Sequence, residues 1–194
     1  MKVIGITGGV GSGKSRVLSY LSEEYGAYVC QADHVAWELQ LPGEVCYKQI
    51  VEVFGKEVLG KAGEIDRQKL GTIVFSDADK LKELNRIMHP AVKERILALV
   101  EEQKALGTVL FVLEAALLLE ENYDVICDEM WYIFADERVR RIRLHDNRNY
   151  TEERIDAIMA SQISEEVFRD RCDVVIDNSG AFEETCRQIK ETMK

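Results

Sequence analysis

Polar and apolar positions alternate between two rhythms along this chain. Residues 2–7, KVIGIT, form a short run of apolar and β-branched side chains. SRVLSYLSEEYG follows with the three-to-four spacing of an amphipathic helix, and Gly26 closes it. AYVCQA at 27–32, TVLFVL at 108–113, EMWYIFA at 129–135 and DVVID at 173–177 are further strand-like runs, separated by helical segments. Strands that read as continuous apolar runs and alternate with helices predict an α/β protein, with a five-stranded parallel sheet covered by helices on both faces.

The second and third strand runs are separated by about seventy residues of helical pattern, far more than one crossover helix needs. An inserted helical subdomain over 40–104 is therefore expected. Its longest helix starts near Ser76, with Asp79 completing a capping-box-like pair, and Leu81, Leu84, Ile87 and Met88 mark its buried stripe. At His89-Pro90 the proline is expected to kink that helix or start a new one. The sequence has no internal repeat and no Pro-rich linker, and contains only two prolines. These features predict one domain over 1–194, with a core at about 1–39, 105–137 and 166–194.

A formal charge of −10 over 194 residues argues against a general nucleic-acid or anionic-membrane binder, so any anion must be captured locally. The five cysteines, Cys30, Cys46, Cys127, Cys172 and Cys186, show no zinc spacing and read as reduced structural thiols. Glu114 interrupts the longest apolar stretch, Val109–Leu119, which is too short to span a bilayer, and the N-terminus lacks the layout of a signal peptide. A cytoplasmic protein, monomeric or weakly self-associating, is expected.

Against that acidic background the segment Gly8–Ser15, GGVGSGKS, fits GxxxxGK[ST]. In that pattern successive backbone N–H groups wrap a phosphate chain at a helix N-terminus. Gly8, Gly11 and Gly13 permit torsions that a Cβ resists, Lys14 reaches the outer phosphates, and the Ser15 hydroxyl can ligate Mg²⁺. A chance match in a chain this long arises about once in a hundred from average usage. The strand before the motif and the helix after it are the context that the pattern requires. ATP-type nucleotide binding is therefore assigned to Gly9, Gly11, Ser12, Gly13, Lys14, Ser15 and Arg16.

The loop alone does not separate a GTPase switch, an ATPase and a small-molecule kinase. The Asn-Lys-x-Asp element of guanine-specific switches is absent, and the one DxxG, Asp177–Gly180, follows the last strand run and reads as a turn. Asp33 follows the second strand run, at the end of a parallel strand where acceptor sites lie. Its carboxylate can take a proton from an attacking hydroxyl, or it can cap a helix beginning at His34, and position alone leaves both readings open. Kinases that phosphorylate an existing phosphate need arginines near the acceptor, yet none occurs between Arg16 and Arg67, which favours a hydroxyl acceptor. Lys48, Lys56 and Lys61 in that interval read as solvated surface. RVRRIRLHDNR at 138–148 holds Arg138, Arg140, Arg141, Arg143 and Arg148 against Asp146 alone. It is either an exposed basic face or an arginine-bearing lid over about 138–165.

Together these residues resemble the dephospho-coenzyme A kinase family nearly end to end. The resemblance rests on TGGVGSGKS, QADHVAWEL, GEIDRQKLGTIVF, His89-Pro90, EAALLLE and VIDNSG. It implies a P-loop nucleotide-kinase-like three-layer fold with a helical acceptor-binding insertion and a small lid. It also implies transfer of the γ-phosphate of ATP, with Mg²⁺, to the ribose 3′-hydroxyl of dephospho-CoA. Asp33 matches the family's base, Arg143 the first of two lid arginines, and Asn178 a position where related kinases place the adenine. Three departures stand out. Gln31 replaces the first acid of the usual pair, Ala116 stands where a proline commonly precedes Leu117-Leu118, and Asn147 takes the second lid place with Arg148 one residue on. His89, Trp37 and Trp131 are read as packing groups, and His34 and His145 receive no role.

Overall fold

The computed structural model describes residues 1–115, 118, 119 and 123–194. The strand runs fold as β1 (Lys2–Thr7), β2 (Tyr28–Gln31), β3 (Leu110–Glu114), β4 (Glu129–Phe134) and β5 (Val174–Asp177). They form one sheet in the order β2-β3-β1-β4-β5. β1 runs parallel to β3, with Lys2 opposite Leu110 and Ile6 opposite Glu114, and parallel to β4, with Ile4 opposite Glu129 and Thr7 opposite Tyr132. β5 lies parallel to β4, Trp131 facing Val174. An aspartate just ahead of β4 and another just ahead of β5 hold the register. Asp128 accepts from the Val3 N–H at 2.7 Å while its own N–H donates to the Val3 carbonyl at 2.8 Å, and Asp173 brackets Met130 in the same way.

The chain divides into two compact units, residues 1–29 with 103–194, and residues 30–102. In the first, α1 (Lys14–Tyr25) and α9 (Phe182–Thr192) supply Val17, Leu18, Leu21 and Ile189 to a core with Ile4, Ile6, Val112, Trp131, Ile133 and Ile176. Side chains alternate across a strand, so these strand residues share one face of the sheet. Each such aliphatic side chain, fully removed from water, contributes about 1.5–3 kcal/mol. Residues one position along turn to the opposite face. There Tyr132 stacks on Phe168 of α8 (Glu165–Arg171) with ring centroids 4.7 Å apart. α6 (Glu137–Arg148) and α7 (Glu152–Ala160) lie between β4 and α8, and Arg141 ties them by ion pairs with Glu137, Glu152 and Asp156.

The second unit contains α2 (Ala32–Glu38), α3 (Val45–Phe54), α4 (Arg67–Phe75) and most of α5 (Ala78–Ala105). Its buried positions include Cys30, Val35, Cys46, Ile50, Phe54, Val58, Ile65, Leu70, Val74, Met88, Val92, Ile96 and Leu99. α5 departs from expectation at its cap and along its predicted stripe, where Met88 is buried but Leu81, Leu84 and Ile87 are half-buried. Asp77, not Ser76, caps it, accepting from the N–H groups of Asp79 and Lys80 at 3.0 and 3.3 Å. Pro90 lies inside one continuous helix instead of starting a second. Buried Met88 and Val92 flank the proline, and Ile96 and Leu99 follow, so packing holds the helix through the missing N–H. No helix among the described residues is long and apolar enough to cross a membrane.

Candidate active site

The loop between β1 and α1 has the conformation its glycines predict. Gly8, Gly11 and Gly13 have φ of 148°, 82° and 89°, a region that side chains with a Cβ resist. Gly13 is the left-handed residue from which α1 starts, so the first N–H groups of that helix lack helical carbonyl partners. Lys14 folds back over the loop, its Nζ donating to the Gly8 carbonyl at 2.6 Å. The Ser12 hydroxyl is buried in the loop with no hydrogen-bond partner among the described residues. Ser15 and Arg16 are exposed, and the Arg16 guanidinium lies 3.9 Å over the Phe182 ring.

Two arginines of α6 close on this loop. Arg143 donates to the carbonyls of Ser12 and Asn178 at 3.2 and 2.8 Å. Arg140 donates to the Val10 carbonyl at 2.9 Å and to the Gln162 side chain, and a Cβ on Gly9 would strike its guanidinium. Burial holds the Arg140 guanidinium below its ordinary range, and burial followed by the neighbouring charge of Arg16 does the same for Arg143. Neither forms an ion pair among the described residues. Both charges are thus partly desolvated with no carboxylate in ion-pair contact among the described residues, an environment that favours an incoming anion. Arg148 is exposed at the end of α6. Arg140 was not distinguished from its neighbours in the sequence. The available signal is helical spacing, because 140 and 143 fall on the same face of α6 as the buried Leu144, at i, i+3 and i+4.

Asn178, just beyond β5, is buried. Its Nδ2 donates to the Ser12 carbonyl at 2.7 Å and its Oδ1 accepts from Thr185 at 3.0 Å. The side chain is a strut beneath the loop. Asp177 turns the chain there by accepting from the Ser179 N–H at 2.8 Å, so the DxxG stretch is the turn its residue types predict.

In the second unit, Asp33 lies in the first turn of α2, whose N-cap is Gln31. The helix therefore begins at Ala32, before Asp33, and the carboxylate takes no hydrogen bond or ion pair among the described residues. Asp33 lines an open cleft of about 470 Å³ with Gln31, His34, Trp37 and Arg67. Trp131 is fully buried and Trp37 is 41% exposed, so only the first is a core residue.

Comparison with known proteins now adds to this geometry. The family model described as CoaE, dephospho-CoA kinase, matches residues 2–184. The chain belongs to the dephospho-CoA kinase family. It is 41% identical to a dephospho-CoA kinase of Oceanobacillus iheyensis, covering 99% of this chain and 96% of that one, and 40% identical to one of Geobacillus kaustophilus, covering 98% and 94%. The crystal structure of TT1252 from Thermus thermophilus superimposes with a TM-score of 0.82 at 31% identity, over 99% of this chain and 96% of that one.

Several stretches that carried the dephospho-CoA kinase resemblance fall on defined elements. GEIDRQKLGTIVF leads into and fills α4, and Asp66 caps that helix by accepting from Gln68 and Lys69 N–H groups at 3.0 and 3.2 Å. VIDNSG is the end of β5 and the turn after it. His89 is half-buried within α5. Of EAALLLE, Glu114, Ala115, Leu118 and Leu119 are described, and Ala116, Leu117 and Glu120 lie outside the described residues.

Proposed function

We propose that this protein transfers the γ-phosphate of ATP to the ribose 3′-hydroxyl of dephospho-CoA, forming CoA and ADP. The reading is carried by one observation: three positive-φ glycines lead into the start of α1, with Lys14 folded back over them. Glycine torsions of this kind direct backbone N–H groups at a phosphate chain, and the helix dipole adds to the attraction. ATP takes its phosphates from the N–H groups of Gly9, Gly11, Ser12, Gly13, Lys14 and Ser15. The Lys14 ammonium exchanges the Gly8 carbonyl for a phosphate oxygen. Arg143 and Arg140 offset charge on the moving phosphoryl group, and Asn178 positions the loop they act on. Arg16 and Arg148, both exposed, are left to the outer rim of the nucleotide site.

Asp33 follows the carboxyl end of β2 as the loop follows that of β1, the ends of parallel strands at which ligands bind. Its carboxylate is engaged by no other group among the described residues, which suits a residue that must accept the hydroxyl proton as the oxygen attacks phosphorus. Mg²⁺ fits the donor set: Ser15 offers an exposed hydroxyl beside the phosphates, and the ion needs few protein ligands when phosphates and water complete its shell. Bound there, it would neutralise phosphate charge. The same reading takes it to act in the cytoplasm, as a monomer or weak homo-oligomer; no helix among the described residues is long and apolar enough to cross a membrane.

Incubation with ATP and either dephospho-CoA or nucleosides, followed by product analysis, tests the substrate; phosphorylation of nucleosides alone rejects it. Asp33→Asn is expected to lower kcat by about 10²–10⁴ while leaving ATP affinity within about twofold. A fully active variant would show that the carboxylate is not the base.

A further inference from the structure

We infer that Arg67 and Trp37 are the acceptor-recognition residues, Arg67 gripping the 5′-diphosphate of dephospho-CoA and Trp37 stacking on its adenine. The inference rests on the function proposed above and deepens it.

The second unit contains three arginines, and two are engaged: Arg86 pairs with Glu83, and Arg95 with Glu102 at 2.7 Å. Lys69, near Arg67 in α4, donates to the Leu59 carbonyl at 2.6 Å. Arg67 takes no hydrogen bond or ion pair among the described residues, and the neighbouring Asp66 carboxylate is turned to capping α4. Arg67 is thus an exposed, unpaired fork of donors, suited to bidentate contact with a phosphate. It lines the same cleft as Asp33. An acceptor nucleotide carries its reactive hydroxyl and its diphosphate on one ribose, so a cleft presenting both a proton acceptor and a guanidinium matches that sugar.

Trp37 and Arg67 also line an adjoining cavity of about 230 Å³, with Gln40, Leu41, Pro42, Glu64 and Ile65. Leu41, Pro42 and Ile65 give it an apolar wall, and the exposed indole, 5.4 Å from the His34 ring, offers an aromatic face. Glu64 places a carboxylate here. It disfavours a phosphate but accepts a hydrogen bond from an exocyclic amine, so the cavity suits the base and the diphosphate lies at Arg67.

In the full-length enzyme, Arg67→Gln is expected to raise KM for dephospho-CoA by about tenfold or more, with kcat and KM for ATP changed less than about threefold; Arg67→Lys should fall between. Titration with dephospho-CoA alone should quench tryptophan emission, and Trp37→Phe should abolish the change because Trp131 is buried. A KM in Arg67→Gln within about twofold of wild type, or a saturable quench that survives Trp37→Phe, overturns the assignment while the proposed activity stands. A wild-type protein that neither binds nor phosphorylates dephospho-CoA overturns both.

Discussion

At Asn178 a single side-chain amide joins the phosphate loop, the turn after β5 and the start of α9. One end holds the Ser12 carbonyl and the other the Thr185 hydroxyl, and the group is buried. Removing it leaves the Thr185 hydroxyl with the Asp177 carbonyl and the Ser12 carbonyl with Arg143, so each loses one of two partners, and a lost intramolecular hydrogen bond costs about 0.5–1.5 kcal/mol. Asn178→Ala should therefore lower the unfolding free energy by about that amount in a urea titration, and weaken ATP binding because Ser12 loses a support. An unchanged titration would mean that water replaces both bonds at no cost. Gly13 belongs to the same arrangement: a Cβ there would strike the Asn178 amide, so both its left-handed backbone and the packed strut require glycine.

Among the elements, α4 shows how a cap can serve a site. Asp66 accepts from two N–H groups of the first turn, which stabilises the helix and leaves Arg67 as its first residue, directed at the cleft. Asp66→Ala should lower the melting free energy by about 1 kcal/mol, as loss of an N-cap usually does, and should raise KM for dephospho-CoA as Arg67 loses its fixed base. A melting curve with acceptor kinetics checks both. α5 is the contrasting element. Of the stripe the pattern marked, Met88 is buried and Leu81, Leu84 and Ile87 are half-buried, while Val92, Ile96 and Leu99 beyond Pro90 carry the rest of the buried face. The sequence reads Pro90 as a kink or a new start because local propensity carries no term for the side chains that pack on either side of it.

Across the whole molecule, burial governs the thiols. Burial pushes Cys30 up to about 12, opposed by Arg95; it pushes Cys127 to about 12 and Cys172 to about 11, with Asp124 and Asp173 respectively adding to the effect. An acid with a raised pKa in the folded state stabilises fully below its unfolded value, near 9, and loses that contribution as pH rises toward the folded value. Tyr20, Tyr25 and Tyr132, also raised chiefly by burial, act in the same direction. Urea midpoints should thus hold level from pH 7 to about 8.5 and fall by about pH 11. Iodoacetamide at neutral pH should leave Cys30 and Cys46 unmodified until the chain unfolds; rapid labelling of either in the folded protein would contradict their burial.

The order of residues determined the strands, the glycine loop and the class of chemistry, because those depend on local periodicity and on torsions that only certain residues adopt. KVIGIT became β1 without a shift, and Gly8, Gly11 and Gly13 took the positive φ their motif requires. Tertiary structure alone decided the strand order, that Arg140 joins Arg143 against the loop, and the employment of Asn178 beneath it. It also decided that Trp37 lies open in a cleft while Trp131 is buried. Each of these depends on which groups meet across long separations in sequence. Local pattern cannot specify such meetings; packing and the pairing of buried polar atoms do.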